Sequence, residues 1–532
     1  MNGEPEKYDQ PEKKQARRLA LFHAVESLTT CRESSPVVTL DHFRRGMNYV
    51  CNCLEKTNNA GNTCFPVPHE QVKEKSKKFE ELHAARVGKK HVGELQVLFL
   101  CGPEPMNDLE VMLELGIRLE NIWAVESKNE NFEWAVESLF ASGYHIKIYR
   151  GKLQQFFEIV PQQFDIVYFD ACGPLPSSEA RTLDVLRQLF EHQRLTPLSV
   201  LITNFSEANH DGDEKSLDLW AKRLGSWFFT RDEWEDFEND YWQHVAKNLN
   251  DYYSNFVSSF VIEFAGLLMP WWRVAALDGA RREYFATAFS DAAQIKLKLP
   301  PFHEERLKLE KPLEAMLLQD SFPAYCRMLE MFLENLPNGD PLKNLFCVEA
   351  SNRVKLSDAV WLAYAFRNCG DPGFSVTADL NKKLCSAEAV EALNSFRWLD
   401  QDLKIFCDKP QPHLLADLLL GLYGYPYHCN LAKQRRWRYL AKDTPMYLDV
   451  FVLDQARYFY DLVPTLPLLA QQLRFPDQWI LRVCMDGIFR HTAQPCGEWF
   501  YASTLAAMET PGFDFHDFQE RESVKGEGSG AI

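Results

Sequence analysis

Two acidic residues and one amide follow apolar runs in the first half of the chain, in a pattern typical of strand ends at a ligand site. Glu126 and Asp170 each end an apolar run, and Asn204 lies near the end of another. The carboxyl ends of parallel strands meet at one edge of a sheet, where open α/β folds bind ligands. A carboxylate there can hold ribose hydroxyls or orient a group that loses a proton. We predict that Glu126 binds a ribose, that Asp170 is catalytic and that Asn204 binds substrate.

Each of these residues also has a structural explanation. Asp170 would suit the N-cap of the next helix, Glu126 a solvated strand end, and Asn204 the first residue of a turn. The position after a strand favours a ligand role for Glu126 and Asp170. Both interpretations of Asn204 stay open.

A glycine turn precedes the first of these acids at a characteristic distance. Gly102 lies between Cys101 and Pro103, directly after the first apolar run, and Glu126 follows 24 residues later. Glycine after the first strand of a doubly wound fold lets a ligand approach the backbone closely. The order of turn and acid therefore predicts a nucleotide-like ligand.

The elements that must position these residues alternate regularly between strand-like and helix-like segments. Short apolar runs separated by helical patterns predict a parallel sheet with right-handed crossovers. Two later strand-like runs flank Asp278-Gly279 and predict an antiparallel hairpin. The predicted strands are residues 97–100, 122–125, 146–149, 164–170 and 199–205, with the hairpin at 272–276 and 284–289.

This order of elements resembles the class I S-adenosylmethionine-dependent methyltransferases between about residues 97 and 289. The resemblance implies an α/β, Rossmann-like methyltransferase sheet with a terminal antiparallel hairpin, flanked by a helical N-terminal region and a mostly helical C-terminal region. It also implies S-adenosyl-L-methionine as cofactor. The implied cofactor-binding residues are Cys101, Gly102, Pro103, Glu126, Gly151, Lys152 and Asp170. Gly173 and Asn204 are the implied substrate-binding residues, Gly173 because Asp170-Ala171-Cys172-Gly173 is similar to the fourth-strand tetrad of some tRNA guanine methylases.

Several residues depart from that family's pattern. Phe99 or Leu100 stands where an acid is usual in the first strand, and Glu104 and Pro105 replace later glycines of the turn. Lys152 stands where an acid often follows the third-strand glycine. Two alternatives therefore stay open: a catalytically inactive methyltransferase-like interaction or sensor protein, and an NAD(P)-dependent oxidoreductase on a similar sheet.

For the remaining cysteine candidates, a structural role is favoured over nucleophilic catalysis or zinc binding. Cys172 lies beside Asp170, but no activating partner can be named, so a packed thiol is favoured over a nucleophile. Zinc ligation is conceivable at a further group, whose spacing lacks paired Cys-x-x-Cys motifs. That group is Cys51, Cys53, Cys64 and His69. We expect no metal.

A basic segment near residue 436 is the candidate for nucleic-acid contact. Its cations could bind phosphates while Trp437 or Tyr439 stacks on a base. The competing interpretation is a solvated cationic surface, and the net charge of −17 argues against non-specific coating of nucleic acid. The predicted contact residues are Lys433, Arg435, Arg436, Trp437 and Arg438.

Length and composition set the frame for these predictions. A chain of 532 residues, 46% hydrophobic and 25% charged, is that of a soluble multidomain protein. No apolar stretch is long enough for a membrane span, no signal peptide is evident, and 14 scattered cysteines suit a cytoplasmic protein. The acceptor and the oligomeric state are not indicated.

The predicted domains follow from these patterns. They are a helical N-terminal region at 1–94, the Rossmann-like methyltransferase domain at 95–292 with an acidic helical insertion at about 210–268, a mostly helical C-terminal domain at 293–520, and a disordered tail at 521–532.

Overall fold

The computed structural model describes six stretches of the chain. They are residues 10–48, 69–208, 214–224, 239–267, 427–460 and 520–525, apart from positions 172, 176, 178, 179, 215, 219, 222 and 223. The predicted hairpin at 272–289 lies outside the described residues, as do Cys51, Cys53, Cys64 and Cys172.

Helices and strands alternate through the first half of the described chain. The helices are α1 (Pro11–Leu28), α2 (His69–Val87), α3 (Met106–Glu114), α4 (Asn129–Ser142), α5 (Leu153–Ile159), α6 (Thr182–Glu191), α7 (Asn239–Lys247), α8 (Leu249–Leu267) and α9 (Arg457–Tyr460). The strands are β1 (Val97–Leu100), β2 (Ile122–Glu126), β3 (Lys147–Arg150), β4 (Phe164–Asp170), β5 (Leu195–Ser206), β6 (His428–Cys429), β7 (Arg435–Ala441), β8 (Thr444–Asp454) and β9 (Glu522–Ser523). None of these described helices combines the length and apolar character needed to cross a bilayer.

The described strands form one sheet in the order β3-β2-β1-β4-β5-β8-β7-β9, with β6 paired to β8. Strands β1 to β5 are parallel, and β8 joins β5 in the antiparallel sense. The crossover from β3 back to β4 beside β1 creates a switch point, where open sheets bind ligands. The predicted α/β, Rossmann-like methyltransferase sheet with a terminal antiparallel hairpin is confirmed.

The hairpin that completes the described sheet comes from a part of the chain that was predicted to be mostly helical. Strands β7 and β8 are joined by Lys442 and Asp443, which both have positive φ, 47° and 68°. Such a two-residue turn usually carries Asn-Gly or Asp-Gly, so the sequence gives no turn signal here. Strands β7 and β8 therefore belong to the same sheet as β1 to β5, although they lie beyond the predicted domain boundary at residue 293.

Helices cover both faces of the sheet. Helix α1 packs against β5, β7 and β8 and beside α3. Its face buries Ala20, Leu21, Ala24 and Leu28 against the alternate strand residues that include Val450. On the opposite face α8 packs against β8 and β6, and α5 against α6. Because α1 and α8 cover its two faces, β8 is buried over nearly its whole length.

The C-terminal segment adds a short parallel strand to the edge at β7. Strand β9 pairs with Trp437 and Arg438, and Arg521 donates hydrogen bonds to Ser254 and to Asp449. The prediction that disorder begins at residue 521 is therefore wrong for 521–525. The reason is that the Arg521 guanidinium reaches Asp449, a carboxylate with no exposed surface, which holds this segment in place.

A second buried acid ties the N-terminal region to the end of β8. Asp454 Oδ2 accepts hydrogen bonds from the Val37 backbone N–H at 3.0 Å and from the Tyr458 hydroxyl at 2.7 Å, and Oδ1 accepts one from the Ala456 N–H. Burial raises the pKa of Asp454 to about 6, and the three hydrogen bonds oppose that shift without cancelling it.

This raised pKa predicts a defined loss of stability as the pH rises. The folded protein binds the Asp454 proton more tightly than the unfolded chain, so the contribution is complete below about pH 4 and is lost as the pH passes about 6. A shift of this size corresponds to on the order of 3 kcal/mol. Urea unfolding at several pH values should show this fall for wild type and its absence in Asp454→Asn. Asp443→Asn, at the exposed hairpin turn, should keep the wild-type profile, and parallel profiles for wild type and Asp454→Asn would contradict the prediction.

Candidate functional site

The turn after β1 leaves its backbone open to a ligand. Gly102 has φ +57°, and a Cβ added there would meet no atom within 4 Å. The preceding Cys101 N–H donates to the Val125 carbonyl, which fixes the turn against β2. Burial raises the pKa of the Cys101 thiol, so this side chain stays neutral. Cys101 and Gly102 therefore offer backbone and space rather than a reactive group.

The residues that depart from the family pattern do not block this turn. The Glu104 carboxylate accepts a hydrogen bond from the Asn107 side-chain amide at 3.1 Å, which holds it at the start of α3. Pro105 is the N-cap of α3, where a missing N–H costs little. Pro103 is partly exposed beside the turn.

Glu126 lies at the end of β2 with its carboxylate held in place. Its Oε1 accepts a hydrogen bond from the Lys128 N–H at 2.7 Å, and its Oε2 has no hydrogen-bond partner among the described residues. The Gly151 N–H donates to the Glu126 carbonyl, so the turns after β2 and β3 are joined. Gly151 has φ +155° and lies against the Tyr149 ring, whereas Lys152 is exposed at the start of α5. One carboxylate oxygen thus stands available beside two backbone turns.

Asp170 and Asn204 are brought together at the ends of β4 and β5. They are register partners, and the Asn204 amide donates to Asp170 Oδ1 at 2.8 Å and to the Tyr439 hydroxyl at 2.7 Å. The N-cap interpretation of Asp170 is not supported, because Arg181 is the N-cap of α6. A shared crevice was one of the two interpretations of Asn204, and its side chain does contact that of Asp170; the roles of both residues stay predictions.

Helix α1 supplies two cations to the same edge, and the sequence predictions missed both. Lys13 Nζ lies 2.7 Å from Asp170 Oδ2, and Arg17 Nε lies 2.5 Å from Asp108 Oδ1 in the first turn of α3. Arg17 also donates to the Asn107 carbonyl. The spacing of Lys13 and Arg17 by four residues, in line with the buried Ala20, is the signal that would have placed them on the sheet-facing side of the helix.

Opposite charges keep Asp170 and Arg17 ionised, whereas burial raises the pKa of Asp108 despite the attraction of Arg17. Burial alone would raise the pKa of Asp170, but the attraction of Lys13 and the hydrogen bonds from Lys13 and Asn204 bring it below its ordinary value. Burial alone would lower the pKa of Arg17, and the carboxylates of Asp108 and Asp170 more than offset that effect. Asp170 is therefore an ionised carboxylate that forms a salt bridge with the ammonium group of Lys13.

The remaining candidates lie beside this cluster or outside the described residues. The Gly173 carbonyl accepts a hydrogen bond from the Ser206 N–H, so this glycine ties the loop after β4 to the end of β5. The packed-thiol interpretation of Cys172 stays a prediction because that residue is not described, and the same holds for the side chain of His69.

The basic segment forms strand β7, and its residues have different environments. Trp437 is 5% exposed and donates its indole N–H to Glu522, and Arg436 is 6% exposed and bonded to Ser258, so neither is placed to bind a nucleic acid. Arg438 is exposed, and Lys433 and Arg435 are half-buried. Nucleic-acid contact stays a prediction that depends on these last three residues.

No protein-family profile and no curated protein matches the chain. Among solved structures, the chain is similar to an S-adenosylmethionine-dependent methyltransferase from Clostridium acetobutylicum, with 15% sequence identity and a TM-score of 0.18. This match covers 25% of the present chain and 51% of the Clostridium chain. A protein from Pyrococcus horikoshii matches with 15% identity, coverages of 30% and 65%, and a TM-score of 0.19. PKMT2 from Rickettsia typhi, solved in complex with AdoHcy, matches with 11% identity, coverages of 66% and 76%, and a TM-score of 0.20.

The chain thus spans about half of the Clostridium protein and just under two thirds of the Pyrococcus protein. The fold itself is given by the strand order, in which five parallel strands in the order 3-2-1-4-5 are followed by an antiparallel hairpin.

Proposed function

We propose that this chain, which has the class I methyltransferase fold, transfers a methyl group from S-adenosylmethionine to an acceptor. The observation that carries the proposal is the open turn at Gly102 beside the positioned Glu126 carboxylate, at the carboxyl edge of a sheet with this strand order. An adenosyl ribose needs a hydrogen-bond acceptor at the end of β2, and Glu126 Oε2 is free to be one among the described residues.

The turns after β1, β2 and β3 would each bind a different part of the cofactor. Cys101, Gly102 and Pro103 would carry the methionine part along the backbone, Glu126 would bind the ribose hydroxyls, and the turn at Gly151 would contact the adenine. Methyl transfer is a displacement at a sulfonium carbon, so the protein mainly positions two reactants. The cofactor would supply the electrophilic methyl group.

Asp170 and Asn204 would hold the acceptor. Asp170 is ionised and nearly buried, so it can orient an N–H or O–H group whose atom attacks the methyl carbon. Asn204 fixes the carboxylate through its amide, and the Gly173 carbonyl fixes the loop beside it. The exposed side of β7 at Arg438 would be the place for contact with a polyanionic acceptor.

Calorimetric titration with S-adenosylmethionine tests the cofactor half of this proposal. We expect wild type to bind and Glu126→Ala to bind about tenfold more weakly or worse, because a hydrogen bond to a charged group is lost. Glu130→Ala, four residues on at an exposed site in α4, is the matched control and should bind like wild type. Equal affinity of wild type and Glu126→Ala would count against the assigned ribose site.

A catalytically inactive sensor or interaction protein is the second candidate function. The pairing of Asp170 with Lys13 favours it, because the acid that would face an acceptor is already satisfied within the chain. In that case the same titration would give no heat of binding with wild type or with either variant. No described contact favours an NAD(P)-dependent oxidoreductase.

A further inference from the structure

The group that pairs with Asp170, the ammonium group of Lys13, indicates which kind of ligand this carboxylate can bind. Lys13 Nζ lies 2.7 Å from Asp170 Oδ2, and the two side chains are only 10% and 12% exposed. The ammonium group reaches this position from the first turn of α1, whose later turns are fixed by buried residues such as Ala20 and Ala24. A primary ammonium group is therefore held at the carboxyl edge, next to the acid predicted to face an acceptor.

The surrounding groups complete a recess for a hydrogen-bond donor. Asp108 is already paired with Arg17, so the carboxylate directed at Lys13 is that of Asp170. Asn204 has no exposed surface, and its Oδ1 has no hydrogen-bond partner among the described residues. An ammonium group offers three N–H donors and no acceptor, which matches a carboxylate next to an unsatisfied amide oxygen. The buried Tyr439 hydroxyl accepts a hydrogen bond from the Asn204 amide, and the buried Tyr168 lies on the same strand as Asp170.

We propose that the recess at Asp170 is a primary-amine site, that Lys13 is its intramolecular occupant, and that the methyl acceptor is a primary amine that displaces Lys13. The acceptor half of this proposal rests on the proposed methyl transfer, and the binding half does not. The first turn of α1 then acts as a cover that the acceptor must displace.

The bound ammonium group first loses one proton to water, which leaves a nitrogen lone pair directed at the cofactor. That lone pair forms the N–C bond while the electrons of the S–C bond pass to sulfur. The products are a secondary ammonium group and S-adenosylhomocysteine, and Asp170 holds the nitrogen throughout.

Removal of the Lys13 side chain tests the binding half. Lys13→Ala removes the lysine side chain beyond Cβ, so n-butylammonium can place its ammonium group at Asp170 and should bind at least about tenfold more tightly than to wild type and should raise the melting temperature. Lys13→Met fills the recess without a charge and should bind n-butylammonium no better than wild type. n-Butanol, which has the same length and no charge, should not stabilise Lys13→Ala. If n-butylammonium binds Lys13→Ala no better than Lys13→Met or Lys13→Ala/Asp170→Asn, the site proposal is overturned.

Lys13→Gln covers the case in which Lys13→Ala does not fold. Its amide still donates to Asp170, and its lost charge should give an affinity for n-butylammonium between those of wild type and Lys13→Ala. An affinity equal to that of wild type would overturn the proposal.

Product analysis tests the acceptor half. Lys13→Ala with S-adenosylmethionine and n-butylamine should form N-methylbutylamine faster than wild type, as measured by mass spectrometry. Binding of both ligands without N-methylbutylamine would overturn the amine acceptor. Absence of S-adenosylmethionine binding would instead overturn the proposed function and leave the amine site to stand on its own titration.

Discussion

Replacement of Asp449 by Ala should lower the free energy of unfolding by about 3–5 kcal/mol, the largest single effect on stability that we expect. Asp449 has no exposed surface and accepts hydrogen bonds from Ser258 at 2.9 Å and from Arg521 at 2.8 Å. Arg436 Nε lies 3.6 Å from Asp449 Oδ1, the oxygen that also accepts the hydrogen bond from Ser258. Burial, followed by the charge of Arg521, lowers the pKa of Arg436 to about 9, and Asp449 opposes that shift. Without this carboxylate, the guanidinium groups of Arg436 and Arg521 keep their hydrogen bonds to α8 but lose the buried negative charge that lies beside both.

Urea unfolding of Asp449→Ala against wild type measures the effect. The matched control is Glu120→Ala, which removes a carboxylate 3.9 Å from Arg118 at a site where both side chains are 67% exposed. This control should cost less than about 1 kcal/mol, because exposed ion pairs contribute little. If Asp449→Ala and Glu120→Ala cost the same, Asp449 is not the anchor of the C-terminal segment.

Replacement of Asp170 by Asn should reduce methyl transfer by about 100-fold or more while leaving the affinity for S-adenosylmethionine within a few-fold of wild type. The reason is that the proposed function assigns Asp170 to the acceptor and Glu126 to the ribose. An amide at this position has no negative charge, so it would neither hold nor orient the acceptor as the carboxylate that now pairs with Lys13 would. Single-turnover rates and cofactor titrations on the same preparation measure the two quantities.

Asp165→Asn separates chemistry from stability in this experiment. Asp165 lies on the same strand, is buried, and is paired with Lys90 at 2.7 Å and hydrogen-bonded to Thr196, but it lies at the opposite end of β4. Its replacement should destabilise the protein without changing the rate per folded molecule. A comparable loss of rate in both variants would show that Asp170 acts through stability alone.

The parallel half of the sheet could be predicted from the sequence because each strand is short, apolar and followed by a turn residue. The predicted run 164–170 matches β4, and the run 97–100 matches β1. Strands buried on both faces give such continuous apolar runs, and their ends mark the ligand edge. The positions of Glu126, Asp170 and Asn204 followed from those ends.

The antiparallel half could not be predicted in the same way. Four cations in and before β7 suggested a basic surface, whereas Arg436 is buried by its pairing with a distant acid. The turn at Lys442-Asp443 carries no glycine or asparagine. The partner of Asp170 was missed for a related reason, since the pairing of Lys13 with an acid far along the chain leaves no local pattern.

Strand β8 closes the sheet from far along the chain, and this connection has a consequence for biosynthesis. Its pairing partner β5 ends at Ser206, whereas β8 begins only at Thr444. Until the ribosome has delivered that later segment, β5 presents an unpaired hydrophobic border to the cell. Such borders pair readily with other chains, and contacts of high sequence separation form slowly. Nascent chains and truncations that stop before the hairpin are therefore the species most exposed to aggregation and most dependent on chaperones.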